Sequence, residues 1–139
     1  MTGVFPESEA AATIRRGLGR WLDNAGWAAV PEVTLVTGRR VDVLCLDPSG
    51  LLLAIEVKSG VADFRADTKW PEYQAYCDQF AFAVDRDFPL DLLPADVGLI
   101  VADGWGAEWL REPQRHPLSA ARRKAMLIRF AMIAARRTA

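Results

Sequence analysis

An α/β domain with one central sheet covered by helices is the fold this sequence predicts, and three observations carry it. Segments of helical and of strand period alternate along a single chain of 139 residues, a length that suits one domain with a full core. Several strand segments are apolar at nearly every position, as in "LLLAI", "FAFAV" and "VGLIVA", which is the pattern of buried strands. The order, a helix first, then strands with helices interleaved, is that of a layered fold around one sheet.

The first element, "SEAAATIRRGLGRWLDNAGW", places Ile14, Leu18, Trp21 and Leu22 at helical spacing and ends near Asn24 and Gly26. After Pro31, "EVTLV" reads as a strand, "TG" as a turn and "RRVDVLCLD" as a second strand. "PSG" turns the chain again, and "LLLAIEVK" is the third strand. Between Val61 and Phe80 the pattern is helical, in two pieces, because Pro71 suits a first turn and not a helix interior. "FAFAV", "VGLIVA" and the short "GAEWLRE" are further strands, and "LSAARRKAMLIRFAMIAARR" closes the chain as a basic amphipathic helix.

Composition excludes several classes. Half of the residues are apolar and a quarter charged, as in ordinary globular domains. No apolar run approaches the roughly 20 residues a membrane span requires, and the first residues carry no secretory signal pattern. The expectation is a cytoplasmic protein, nucleoid-associated if it binds DNA, with no membrane and no small-molecule cofactor. Cys45 and Cys77 are too few for a disulfide framework or a zinc site and read as buried thiols. His116 lacks a partner histidine. Net charge is only −1, but the chain from position 111 onward carries eight Lys or Arg against one Glu. Such asymmetry suits one anion-facing side.

The hairpin "RRVDVLCLDPSGLLLAIEVKS" is apolar except at its open end. With Pro48-Ser49-Gly50 as a three-residue loop, Asp47 faces Leu51, Asp42 falls opposite Glu56, and Arg40 opposite Lys58. Val41, Val43 and Cys45 then share one core face with Leu53, Ile55 and Val57. Two carboxylates so opposed lie roughly 5 Å apart at Cβ and repel each other. Either Arg40 and Lys58 neutralise them in a surface network, or a divalent metal sits between them, with Lys58 aimed at the same spot.

Asp42 followed by Glu56-Val57-Lys58 resembles the PD-(D/E)XK nuclease superfamily, the restriction-endonuclease-like fold. The longer stretches "GRRVDVLCLD", "EVKSGVADFRADTKWPEYQAYCDQFAFAV" and "LLPADVGLIVADGWGAEWL", together with the basic tail, resemble the MmcB-type family of bacterial DNA-repair proteins. The resemblance implies a three-layer fold, a central mixed sheet flanked by helices, and Mg²⁺- or Mn²⁺-dependent cleavage of phosphodiester bonds. Asp42 and Glu56 would be metal ligands, with the Val57 carbonyl a third and Lys58 the catalytic lysine. Val41 stands where the motif name has proline.

The helix after the third strand often adds a polar residue to such a site, which makes Gln74 a further catalytic candidate. Trp70, Tyr73 and Cys77 have the spacing of a core stripe, and stacking of bases on Trp70 or Tyr76 is the less favoured use. Glu7 and Glu9 complement the first helix's dipole or supply another metal ligand. DNA contacts are expected at Arg40, Lys69, Arg122, Arg123, Lys124 and Arg129, as phosphate contacts that hold DNA without reading its sequence. A homodimer is compatible with a nuclease of this size. The favoured reading is therefore a DNA-repair nuclease. The rivals are a DNA- or partner-binding module of the same fold with little turnover, and an RNA-processing nuclease for which no RNA-specific element is present.

Overall fold

A computed structural model describes residues 7–138; part of the amino-terminal stretch read above for a signal lies outside them. Helix α1 (Glu9–Asn24) leads into six strands: β1 (Ala28–Thr34), β2 (Arg40–Leu46), β3 (Leu52–Val57), β4 (Gln79–Val84), β5 (Gly98–Ala102) and β6 (Ala107–Arg111). Short α2 (Val61–Ala66) and a 3₁₀ turn (Trp70–Tyr76) connect β3 to β4, and α3 (Ala120–Thr138) ends the chain. The strands lie in one sheet in sequence order. β1–β2–β3 is an antiparallel meander, β3–β4–β5 are parallel, and β6 returns antiparallel. The sheet is thus mixed and covered on both sides, as expected.

Each face has its own core. On one side Ile14, Leu18 and Leu22 of α1 pack on Val43, Cys45, Leu53, Ile55, Ala81, Ala83, Ile100 and Ala102. Full burial of each large aliphatic side chain contributes about 1.5–3 kcal/mol. The alanines on β4 and β5, with Gly17 on the helix, allow a close approach: a Cβ at Gly17 would lie 1.8 Å from the Asp103 carbonyl oxygen. On the other side the 3₁₀ turn and α3 cover Leu44, Leu52, Ala54, Phe80 and Phe82 through Tyr73, Met126 and Phe130. Half-buried Trp70 stacks on Phe80 at 5.4 Å between ring centroids, so it packs against the core. Pro71 begins its turn, as its fixed φ favours.

The β2–β3 loop is the expected one. Gly50 has φ +91°, Asp47 N–H donates to the Leu51 carbonyl at 3.1 Å, and Val43 pairs with Ile55, Leu44 with Ala54 and Leu46 with Leu52. Beyond Val43 the regular pairing stops. β1 begins three residues before Pro31 and includes it, ahead of the expected "EVTLV"; the proline is tolerated because β1 is an edge strand. Next to it Glu32 adopts φ +54°, a left-handed conformation that costs an L-residue about 1–2 kcal/mol. The bend breaks strict alternation in both strands. Val30 and Val33 end in the same core, and Val41 joins Leu44 on the α3 side instead of Val43 and Cys45.

Candidate functional site

Asp42 lies at that interruption, and the two carboxylates fill it. Asp42 N–H donates to Glu56 Oε1 at 3.0 Å, while Val57 N–H donates to Asp42 Oδ2 at 2.9 Å. Each side chain thus takes the place of a carbonyl the ladder no longer supplies. The Asp42 side chain is 25% exposed, whereas Glu56 is 4% exposed in a wall of apolar residues. Burial, reinforced by the Asp42 charge and a hydrogen bond with its carboxyl, pushes the Glu56 pKa well above the carboxylate range. A positive charge placed against the pair would favour the ionised form of Glu56.

Neighbouring cations are arranged differently from the expected network. Arg40 opens β2 opposite Thr34, exposed, and forms no ion pair with Asp42 or Glu56 among the described residues. Lys58 follows the last residue of β3; its N–H donates to the Ala83 carbonyl at 3.0 Å, and its Nζ lies 2.6 Å from Asp67 Oδ2. This ion pair is nearly buried, with the lysine side chain 6% and the aspartate 14% exposed. Burial would raise the Asp67 pKa, but hydrogen bonds from Lys58 and from the Lys69 and Trp70 amides hold it below its ordinary value. Arg15 of α1 approaches Asp42 Oδ1 at 3.5 Å and also pairs with Glu7 at 2.5 Å. Glu7 therefore engages an arginine, and Glu9 stands exposed in the first turn of α1.

The 3₁₀ turn brings Tyr73 to the carboxylates, and not Gln74. Burial first, then the charges of Glu56, Asp67 and Asp42, push the Tyr73 phenol up to about 12. Gln74 lies with Cys77, Asp78 and His116, because successive residues of a 3₁₀ turn point about 120° apart. Asp67, Arg15 and Tyr73 are the site residues that sequence reasoning missed. A buried lysine requires a counter-charge, and that requirement is the one signal by which Asp67 could have been found.

The basic helix is largely committed to the fold. Arg123 forms a forked pair with buried Asp78 and donates to the Gly50 carbonyl at 2.8 Å. Arg122 donates to the Ala75 carbonyl at 3.0 Å and lies over the Tyr76 ring. Arg129 donates to Thr34 at 2.9 Å and Arg137 to Glu32 at 2.7 Å. Gly50 and Asp78 flank the start of β3, so Arg122, Arg123 and Lys124 gather at the opposite end of that strand from Glu56. Four residues of strand from Leu52 to Glu56 span about 13 Å. Lys69 is exposed two residues from Asp67, and Arg40 two residues from Asp42; these two cations do stand beside the site.

Fold and site together define a three-layer α/β domain in which buried Glu56, at the carboxy-terminal end of a central strand, meets half-buried Asp42 of the neighbouring strand. The chain belongs to the MmcB-like DNA repair protein family, whose model matches residues 5–139. It is similar to a solved protein of unknown function from Silicibacter pomeroyi, with 42% identity over 96% of this chain and 91% of that one and a TM-score of 0.90. No curated protein matches.

Proposed function

We propose that this protein is a metal-dependent nuclease that hydrolyses phosphodiester bonds of DNA during repair, a member of the PD-(D/E)XK superfamily. The observation that carries the reading is the interlock of Asp42 with Glu56, two carboxylates held against each other at the edge of an apolar core. Membership of a DNA-repair family supports DNA as the substrate.

The donor set suits a hard dication. Two acidic side chains converge from adjacent strands, and the Val57 carbonyl lies next in sequence. Among the described residues no group of three or more His, Cys, Asp or Glu is placed to hold a metal. Two carboxylates and a carbonyl fit the way Mg²⁺ or Mn²⁺ is held, ions that keep waters and accept substrate phosphate alongside one or two carboxylates. Bound there, the ion would supply Lewis acidity and lower the pKa of water. Asp42 and Glu56 fix where charge is concentrated. Asp67 pairs with the Lys58 ammonium and orients it, so that it offsets negative charge developing on the phosphate. Arg40 and Lys69 are the exposed cations available to the backbone of DNA.

A second reading has its own observation. The charged groups at the centre of the site already have partners: Lys58 is closed on Asp67, Asp42 on Arg15, and both carboxylates on backbone amides. That self-sufficiency also suits a DNA-binding accessory module with little turnover. Wild type and Glu56→Ala, incubated with single-stranded, duplex, flapped and four-way DNA in Mg²⁺, Mn²⁺ or EDTA, separate the two. Metal-dependent cutting by wild type is expected, with Asp42→Ala and Glu56→Ala each lower by about 10³-fold or more. Equal cutting by a pure Glu56→Ala preparation would sink the nuclease reading, and binding without cutting by wild type would select the module.

A further inference from the structure

The parallel strands β3, β4 and β5 end on the same edge of the sheet, so the turn after β5 lies on the same side of the molecule as the carboxy-terminal end of β3. That turn is Asp103-Gly104-Trp105-Gly106. Trp105 is 79% exposed, the most exposed large apolar side chain among the described residues, although tryptophan is a residue that folding normally covers. It is not loosely held. Asp103 Oδ1 accepts from the Trp105 and Gly106 amides at 2.8 and 2.9 Å. Gly17 of α1 seats directly on the Asp103 and Gly106 carbonyls, with no room for a Cβ. Arg20, one turn further along α1, lies 5.3 Å from the ring centroid, and Arg86 reaches Asp103 at 3.5 Å from the end of β4.

We propose that Trp105 is a stacking platform for an unpaired base of DNA whose backbone passes the Asp42–Glu56 site. This inference rests on the nuclease reading and deepens it: the substrate would carry a single-stranded segment. Two strand spacings of about 4.8 Å separate β3 from β5, which puts the platform within a few nucleotides of the carboxylates. Helix α1 links the two places, presenting Arg15 to Asp42 and Arg20 to Trp105. A rigid ring with a cation near it is how sequence-tolerant proteins grip unpaired bases. The surroundings also favour a base over a phosphate. Asp85, Asp87, Glu108 and Glu9 surround the turn and offset Arg86 there, with Arg16 and Arg20 alongside, so the grip at the turn itself rests on stacking.

The test is binding of oligo-dT, of duplex and of a duplex with a single-stranded flap, measured by anisotropy in EDTA so that no cleavage intervenes. Trp105→Ala is expected to weaken oligo-dT and flap binding about tenfold, to leave duplex binding unchanged, and to be rescued in large part by Trp105→Phe. Quenching of tryptophan emission by oligo-dT should disappear in Trp105→Phe. Unchanged oligo-dT affinity in Trp105→Ala, or no binding of oligo-dT by wild type, overturns the inference. The nuclease reading fails separately: wild type that binds unpaired DNA through Trp105 and never cuts would keep the platform and lose the enzyme.

Discussion

Two carboxylates are buried at opposite ends of the β3–β4 pair, and they have opposite fates. Asp78 is 2% exposed and Glu56 4%, so burial does not distinguish them. Asp78 accepts from the Leu52 amide at 2.8 Å, the Leu118 amide at 3.0 Å and the Arg123 guanidinium. Burial alone would raise its pKa, yet the Arg123 fork and these amides hold it below the ordinary carboxylate range. Glu56 receives one backbone amide and faces another acid. A buried carboxylate whose every lone pair is answered by a donor belongs to the fold. One left facing a like charge is paid for by packing elsewhere and is a candidate for chemistry.

Removing each acid should therefore give opposite results, and the largest stability effect lies at Asp78. Asp78→Ala strands the Leu52 and Leu118 amides and Arg123, and is expected to cost about 3 kcal/mol or more, read as a lowered urea midpoint with unchanged slope. Glu56→Gln should go the other way. The folded-state pKa of Glu56 is raised above the ordinary 4.5, so the fold favours its protonated form. Its contribution is complete below the unfolded-state pKa and is lost as pH rises through the folded-state value. Without metal, Glu56→Gln should exceed wild type in stability at pH 8 by at least about 1.4 kcal/mol, the equivalent of one unit, and the two should converge towards pH 5. Mg²⁺ should raise the melting temperature of wild type and not of Glu56→Gln. A wild type equally stable across that range relative to the glutamine variant would show that Glu56 is as well compensated as Asp78.

The hairpin explains how much of this could be read from the sequence. The turn Pro48-Ser49-Gly50 fixes the register of β2 against β3, and counting from it places Asp42 near Glu56. What alternation could not reveal is the bend at Glu32, a backbone conformation with no residue signature, which carries Val41 to the α3 core and opens the ladder at Asp42. Alternation also sets Lys58 across from Arg40, beside the carboxylates. The lysine's ammonium instead closes on Asp67, because the β2 partner of the ladder is lost beyond Val43 and a buried ammonium takes the nearest acid. The arginines of α3 were legible as a basic surface but not as donors to Thr34, Gly50 and Ala75, since those partners are distant in sequence and are backbone carbonyls. Charge counts show where cations lie along the chain, and only tertiary structure shows which of them are already occupied.

The smallest expected effect divides two adjacent residues of the 3₁₀ turn. Gln74 sits at the Asp78 end, among Cys77 and His116, and Tyr73 at the Glu56 end, where burial and three acids hold its phenol protonated up to about 12. Tyr73→Phe keeps the ring that packs on Phe80 but removes the hydroxyl from beside the carboxylates. It should lower metal-dependent cleavage by about tenfold, as loss of a supporting group around a metal site does. Gln74→Ala should change cleavage by less than about twofold, within what a surface substitution does. Single-turnover cleavage of the preferred DNA by the two variants reads the difference directly. If Gln74→Ala proves the more damaging, the site extends towards Asp78, and the boundary between the acid that serves the fold and the acid that serves the chemistry lies further along β3 than the hydrogen bonds place it.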